Sequence, residues 1–187
     1  MEALHLTRQE LESGLEAIRQ SPKIEGILRM IVRRPATDER EVIQEGELIA
    51  GSGLAGDVWG TRRRSSNGDG PVKTDDEITL MNARVIALLA RDQERWKLAG
   101  DQFFVDLDLS ETCAPPGTRL ALGEAVVEVT QMPHLGCRKF KERYGVAALE
   151  FVNSEQGQAL RLRGVNARVL KPGVVRTGDG VRNLVTA

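Results

Sequence analysis

The chain has 187 residues, 41% hydrophobic and 28% charged, and its 26 basic against 27 acidic side chains leave a formal net charge of −1. That length supports one domain with a true core, and the balanced charge excludes a general attraction to nucleic acid or to an anionic membrane. No apolar stretch approaches a membrane span, and two cysteines with two histidines are too few for the usual structural zinc site. The first twenty residues are rich in charge and lack the apolar stretch of a signal peptide, so a cytoplasmic protein with reduced thiols is expected.

Thr7-Arg8-Gln9-Glu10 is a capping-box pattern, and Leu11, Leu15 and Ile18 follow at helical spacing until Ser21-Pro22. A helix over 7–20 is expected, forming an N-terminal appendage (1–22) docked on the main domain (23–187) or on a partner. Ile24 to Val32 reads as a buried strand and Glu41 to Ile49 as another. Gly51 to Asp57 is a glycine-rich turn that matches neither the phosphate-loop nor the dinucleotide spacing. Residues 61–76 are polar and rich in breakers, as a surface loop is.

Glu77 to Met81 is a short strand, and Asn82 caps a helix expected over 83–96. Phe103 to Leu109 alternates apolar and acidic residues, as a half-buried strand does. Leu120 to Leu122 and Ala125 to Val129 flank Gly123-Glu124, a hairpin signal. A second helical stretch lies in 144–160. Gly164 to Leu170 and Val174 to Arg176, joined through Lys171-Pro172-Gly173, are expected to form another hairpin. Strands outnumber helices, so the fold class is mainly β: an antiparallel barrel with a few peripheral helices and an N-terminal helix.

One residue stands out for chemistry. The run Ala125 to Val129 leads through Pro133 and Gly136 to Cys137, with Arg138 and Lys139 next and His134 three residues back. Cationic neighbours favour the thiolate, the form that attacks electrophiles and binds soft metals. A lone cysteine is otherwise a small buried hydrophobe. Cys113, beside Pro115-Pro116 and without a basic neighbour within three residues, reads as structural.

The order of blocks resembles the MOSC domain family, related to the C-terminal part of molybdenum cofactor sulfurase. Gly53-Leu54-Ala55-Gly56-Asp57 is similar to its glycine-leucine-x-glycine-aspartate block, and Ile78 to Asn82 to the strand after it. Gly100-Asp101-Gln102 to Leu109, then Gly117 to Gly123 with Ala125 to Thr130, resemble the strands leading to the family cysteine, which maps to Cys137. Arg163 to Leu170, Gly173 and Gly178-Asp179 resemble its C-terminal strands, so the likeness spans about 24–184. Many members carry histidine where this chain has Trp59 and asparagine where it has Gln102.

The resemblance implies a β-barrel and a molybdenum cofactor of the molybdopterin type; the family is also associated with pyridoxal phosphate binding. It implies that Cys137 ligates molybdenum or carries sulfur as a persulfide. Relatives include reductases of N-hydroxylated substrates, so an electron-donor or sulfur-donor protein is an expected partner.

Around Cys137 the candidate cofactor-binding residues are Asp57, Arg64, Lys73, Asn82, Asp101, Arg138, Arg163 and Asn166. The run Arg62-Arg63-Arg64 with Lys73 suits a phosphate, because guanidinium presents a planar fork of donors. Asp57 and Asp101 are turn residues or orienting carboxylates. Asn82 is a helix cap or part of an anion cradle. Strand alternation puts Asn166 and Arg168 on one face and Val165, Ala167 and Val169 on the other, so Arg163 or Asn166 meets an anion if the polar face lines a cleft. His134 reads as a turn residue before a general base. Three functions remain open: a molybdenum-dependent oxidoreductase, a sulfur carrier, and a binding module without chemistry.

Overall fold

A computed structural model describes residues 5–59 and 75–184. Arg62, Arg63, Arg64 and Lys73, the expected phosphate-binding cations, lie outside the described residues.

Thr7 caps α1 (Arg8–Ser13) through the expected box: its Oγ1 accepts from the Glu10 amide at 3.3 Å, and the Glu10 carboxylate accepts from the Thr7 amide at 2.7 Å. The single helix expected to residue 20 breaks at Gly14 into α1 and α2 (Leu15–Arg19). Gly14 is where the helices touch their neighbour, since a Cβ there would lie 2.5 Å from Leu88 Cδ2.

Seven strands close a barrel. In order around it they are β1 (Glu25–Arg33), β11 (Gly180–Asn183), β7 (Arg119–Leu122), β8 (Ala125–Val129), β9 (Val165–Lys171), β5 (Ile78–Asn82) and β6 (Phe103–Asp106), which returns to β1. Every pairing is antiparallel except β5 with β6, which run parallel. The β7–β8 hairpin turns at Gly123 as expected.

Two expectations are corrected here. The strand expected over 41–49 divides at Gln44 into β2 (Glu41–Ile43), which pairs with β1, and β3 (Glu45–Ile49), which joins β4 (Gly53–Leu54) and β10 (Gly173–Arg176) in a separate sheet. The hairpin expected over 164–176 is absent: β10 pairs with β3 and not with β9. Pro172 brings no N–H to a ladder, and Gly173 lies so close to the Glu124 backbone that a Cβ would meet its carbonyl carbon at 2.6 Å. The chain therefore leaves the barrel wall at this point.

The helices are also shorter than their periodicity predicts. Asn82 caps α3 (Ala83–Ala90), which stops at Arg91, whose φ is 58°. Asp92 then caps a 3₁₀ helix (Gln93–Ala99). The stretch over 144–160 belongs to three helices: α4 (Arg138–Tyr144), α5 (Val146–Asn153) and α6 (Glu155–Ala159). Gly145 separates the first two with a φ of 93°, a left-handed conformation that glycine adopts without penalty.

Alternation along β5 and β6 builds two cores at once. Leu80, Phe103 and Val105 point into the barrel with Leu28, Val127 and Ala167. Met81 and Phe104 point outward to Leu11, Ile18, Leu89, Phe140 and Phe151. The N-terminal helices thus share a core with α3, α4 and α5. Each fully buried Leu or Phe contributes about 1.5–3 kcal/mol. No described helix is long and apolar enough to cross a membrane.

Candidate functional site

At one end of the β5–β6–β9 wall the outward face turns polar. Thr79 stands opposite Asn166 in the ladder, and the Gln102 Oε1 accepts from the Thr79 amide at 2.8 Å and its hydroxyl at 3.0 Å. Over this face runs the segment after β8 that carries the thiol.

Two asparagines hold that segment. Asn166 Nδ2 donates to the carbonyls of Met132 at 3.1 Å and Pro133 at 3.3 Å. Asn153, at the end of α5, accepts from the Gly136 amide at 2.8 Å and donates to its carbonyl at 3.1 Å. Glycine suits position 136 because a Cβ would sit 2.7 Å from Leu149 Cδ1. Cys137 follows as the extended N-cap of α4, makes no side-chain capping bond and is exposed.

Behind the segment lies a buried ion pair. Asp101 is fully buried and accepts from Arg163 Nη1, while Arg163 Nη2 donates to the Ala99 carbonyl at 3.0 Å. The second Asp101 oxygen faces His134 Nδ1 at 3.5 Å. Burial, then the charge of Arg163, pushes the His134 pKa down to about 3, against a weaker opposing pull from Asp101. His134 is thus neutral at physiological pH. It supplies no positive charge to the thiol, contrary to the expectation that it would help stabilise a thiolate.

A cationic basin flanks α4. Arg34, just past β1, grips the buried Asp57 through its amide and Nε at 2.9 Å and its Nη2 at 2.8 Å, and Nη1 donates to the Gly100 carbonyl at 3.1 Å. Asp57 also accepts from the Trp59 amide at 2.9 Å. Lys139 pairs with Asp38 at 2.5 Å, and Arg143 Nη2 reaches the same carboxylate at 4.0 Å. Arg40 completes the basin: its Nε is buried without an acceptor among the described residues. Burial first, then the charges of Arg143 and Arg34, lower its pKa. Four cations (Arg34, Arg40, Lys139 and Arg143) face two carboxylates (Asp38 and Asp57), so the basin carries excess positive charge.

The candidates named from sequence fall into different places. Asp101, Arg163 and Asn166 come together behind the thiol segment, Asp57 holds Arg34 in the basin, and all four side chains are engaged. Arg138 adjoins Cys137 but is 85% exposed and paired with Glu142 at 3.4 Å. Asn82 lies at the far end of β5, where its side chain bonds to Ser21, the Leu107 carbonyl and the Arg84 amide. Cys113 donates to Asp108 at 3.1 Å, and burial raises its pKa, as a structural thiol's is. Among the described residues no group of three or more His, Cys, Asp or Glu could hold a metal ion.

Arg34, Arg40 and Arg143 escaped the sequence reading. Arg34 had one signal, as the second of two arginines between a buried strand and Pro35. Arg40 and Arg143 had none, because the residues that converge on them are about a hundred positions apart.

A family model for the MOSC domain matches residues 69–182. The YuaD protein from Bacillus subtilis has a similar structure, with a TM-score of 0.59 at 15% identity over 84% of this chain and 94% of that one. YiiM from Escherichia coli superposes with a TM-score of 0.55 at 19% identity, over 86% and 71% of the two chains. YiiM from Geobacillus stearothermophilus does so at 0.51 and 15% identity, over 87% and 74%. These likenesses are of fold. No functionally curated protein matches the chain.

Proposed function

The chain belongs to the MOSC domain family, and from that premise we propose that it binds a molybdenum cofactor of the molybdopterin type beside Cys137 and reduces N-hydroxylated compounds with it. The observation that carries this reading is the basin beside α4, where Arg40 keeps a buried donor without an acceptor among the described residues, amid excess positive charge. A buried unpaired N–H costs about 1–3 kcal/mol, and a phosphate oxygen would satisfy it.

The donor set also fits. A lone exposed thiol without a surrounding ligand cluster suits a metal that arrives inside a cofactor better than a bare ion. A soft thiolate is an appropriate ligand for molybdenum. When bound, such a cofactor supplies electron-pair chemistry that the chain's own side chains lack. The chain's part is positional. Arg40, Arg34 and Arg143 hold the anionic group, with Arg64 and Lys73 as proposed further donors. Asp57 orients Arg34, Asp101 orients Arg163, and Asn166 keeps the thiol segment in place; Arg138 and Asn82 would contribute charge and a helix cap. The electrons come from a separate donor protein, because the chain carries no flavin or nicotinamide fingerprint.

A second reading is favoured by the exposure of Cys137. As a sulfur carrier, its thiolate attacks the outer sulfur of a donor persulfide, releases the donor thiolate and presents the sulfur to a partner.

Metal content tests the first reading. Protein from a host that makes molybdenum cofactor is compared with Cys137→Ser. Near-stoichiometric molybdenum that is lost in the variant supports it. No molybdenum in either protein, with a control molybdoenzyme loaded, overturns it, and cyanide-releasable sulfur dependent on Cys137 would then support the carrier.

A further inference from the structure

A cavity of about 420 Å³ opens on the other side of the thiol segment, and Cys137 is not among the residues that line it. Met132, Pro133, Leu135, Val152 and Val165 supply its apolar lining. Its volume is within the range of about 300–1,000 Å³ typical of small-molecule sites.

Two of the polar side chains in it are arginines. Arg163 is 6% exposed, and among the described residues its Nε is buried without an acceptor although both of its Nη atoms are satisfied. Arg161 lines the cavity two residues earlier. It donates Nη1 to the Ala114 carbonyl at 2.5 Å and makes no ion pair with any carboxylate among the described residues. Glu111, the one acidic residue in the lining, acts on it only at a distance. Arg161 also holds a φ of 47°, a left-handed conformation that costs a residue with a Cβ about 1–2 kcal/mol. The chain thus places an arginine where the backbone favours glycine, and the result is a guanidinium with no carboxylate partner among the described residues, at a cavity lined by both polar and apolar groups. Neutral His134 completes the lining on the side of the ion pair.

We propose that this cavity is a binding site for a compact organic oxyanion, a carboxylate or phosphate monoester on an apolar body, held by Arg161 and the free edge of Arg163. The apolar lining takes the body, and the two guanidiniums take the charged end. The site is separate from the cationic basin beside Cys137, and it does not require a metal or cofactor to be loaded.

The test is calorimetry on protein made without cofactor, with benzoate and phenylphosphate as the two oxyanion sources and benzamide as the neutral isostere. At least one oxyanion should bind at about millimolar or better, and benzamide should not. Arg161→Met should weaken binding by about tenfold or more. Gln131→Glu, an exposed change at the rim, should weaken it severalfold without threatening the fold. Arg176→Gln, whose side chain lies outside the cavity lining, should leave it unchanged. Equal binding of benzamide, an unaffected Arg161→Met, or no oxyanion binding at about 10 mM would each overturn the site. Because the cofactor is absent throughout, a failure to find molybdenum in the metal assay leaves this result standing, and the reverse.

Discussion

Arg163 and Asp101 form a buried ion pair, the two side chains being 7% and 0% exposed. The pair is 62 residues apart in sequence and ties the start of β6 to the start of β9. Its second carboxylate oxygen faces His134 Nδ1 at 3.5 Å without a hydrogen bond, so the pair lies against the segment that delivers Cys137.

Breaking a buried pair leaves an uncompensated charge, which costs more than the pair contributes. Asp101→Ala should lower stability by about 3–5 kcal/mol in urea unfolding. The double variant Asp101→Leu/Arg163→Met should recover more than half of that loss. Equal losses in the two proteins would show that burial of charge is not the cause.

The neutrality of His134 has a pH signature. Its pKa in the folded state, about 3, lies below the usual 6.5, so the unfolded chain takes up a proton first as pH falls. The contribution of His134 is complete above pH 6.5 and is lost progressively between there and about 3. The slope is at most about 1.4 kcal/mol per pH unit. Against His134→Gln, the wild type should show this extra acid sensitivity between about pH 6 and 4. Parallel curves would sink the assignment.

The two thiols should differ in reactivity. Cys137 is exposed, while Cys113 is partly buried and donates to Asp108, and the loss of solvent, then the bond to Asp108, raise its pKa. Iodoacetamide at pH 7.5 should alkylate Cys137 faster by about tenfold or more, read by peptide mass spectrometry. Comparable rates would mean that Cys113 opens to solvent.

Asn153 contributes both a donor and an acceptor to Gly136. Asn153→Ala should cost about 1–3 kcal/mol, two bonds at the usual net value. It should also raise amide hydrogen exchange in residues 131–136 while β8 stays protected. Unchanged exchange there would show that Asn166 alone holds the segment.

The local signals were those of short range. The Thr7–Glu10 box, the Asn82 cap, the β7–β8 turn at Gly123 and the path from β8 to Cys137 depend on residues within a few positions of one another, and each formed where its pattern stood. The longer helices did not, because periodicity records which face is apolar but not where a glycine such as Gly145 is needed for close packing.

By itself, then, the sequence determined a mainly β barrel with helices on it and one thiol after β8. Tertiary structure alone decided that β10 leaves the barrel for β3, that His134 is neutral, and that Arg34, Arg40 and Arg143 meet along α4. The physical reason is common to all three. Strand partners are chosen among distant segments by burial and backbone fit, and the charge state of a group depends on the water and ions that folding removes or brings near.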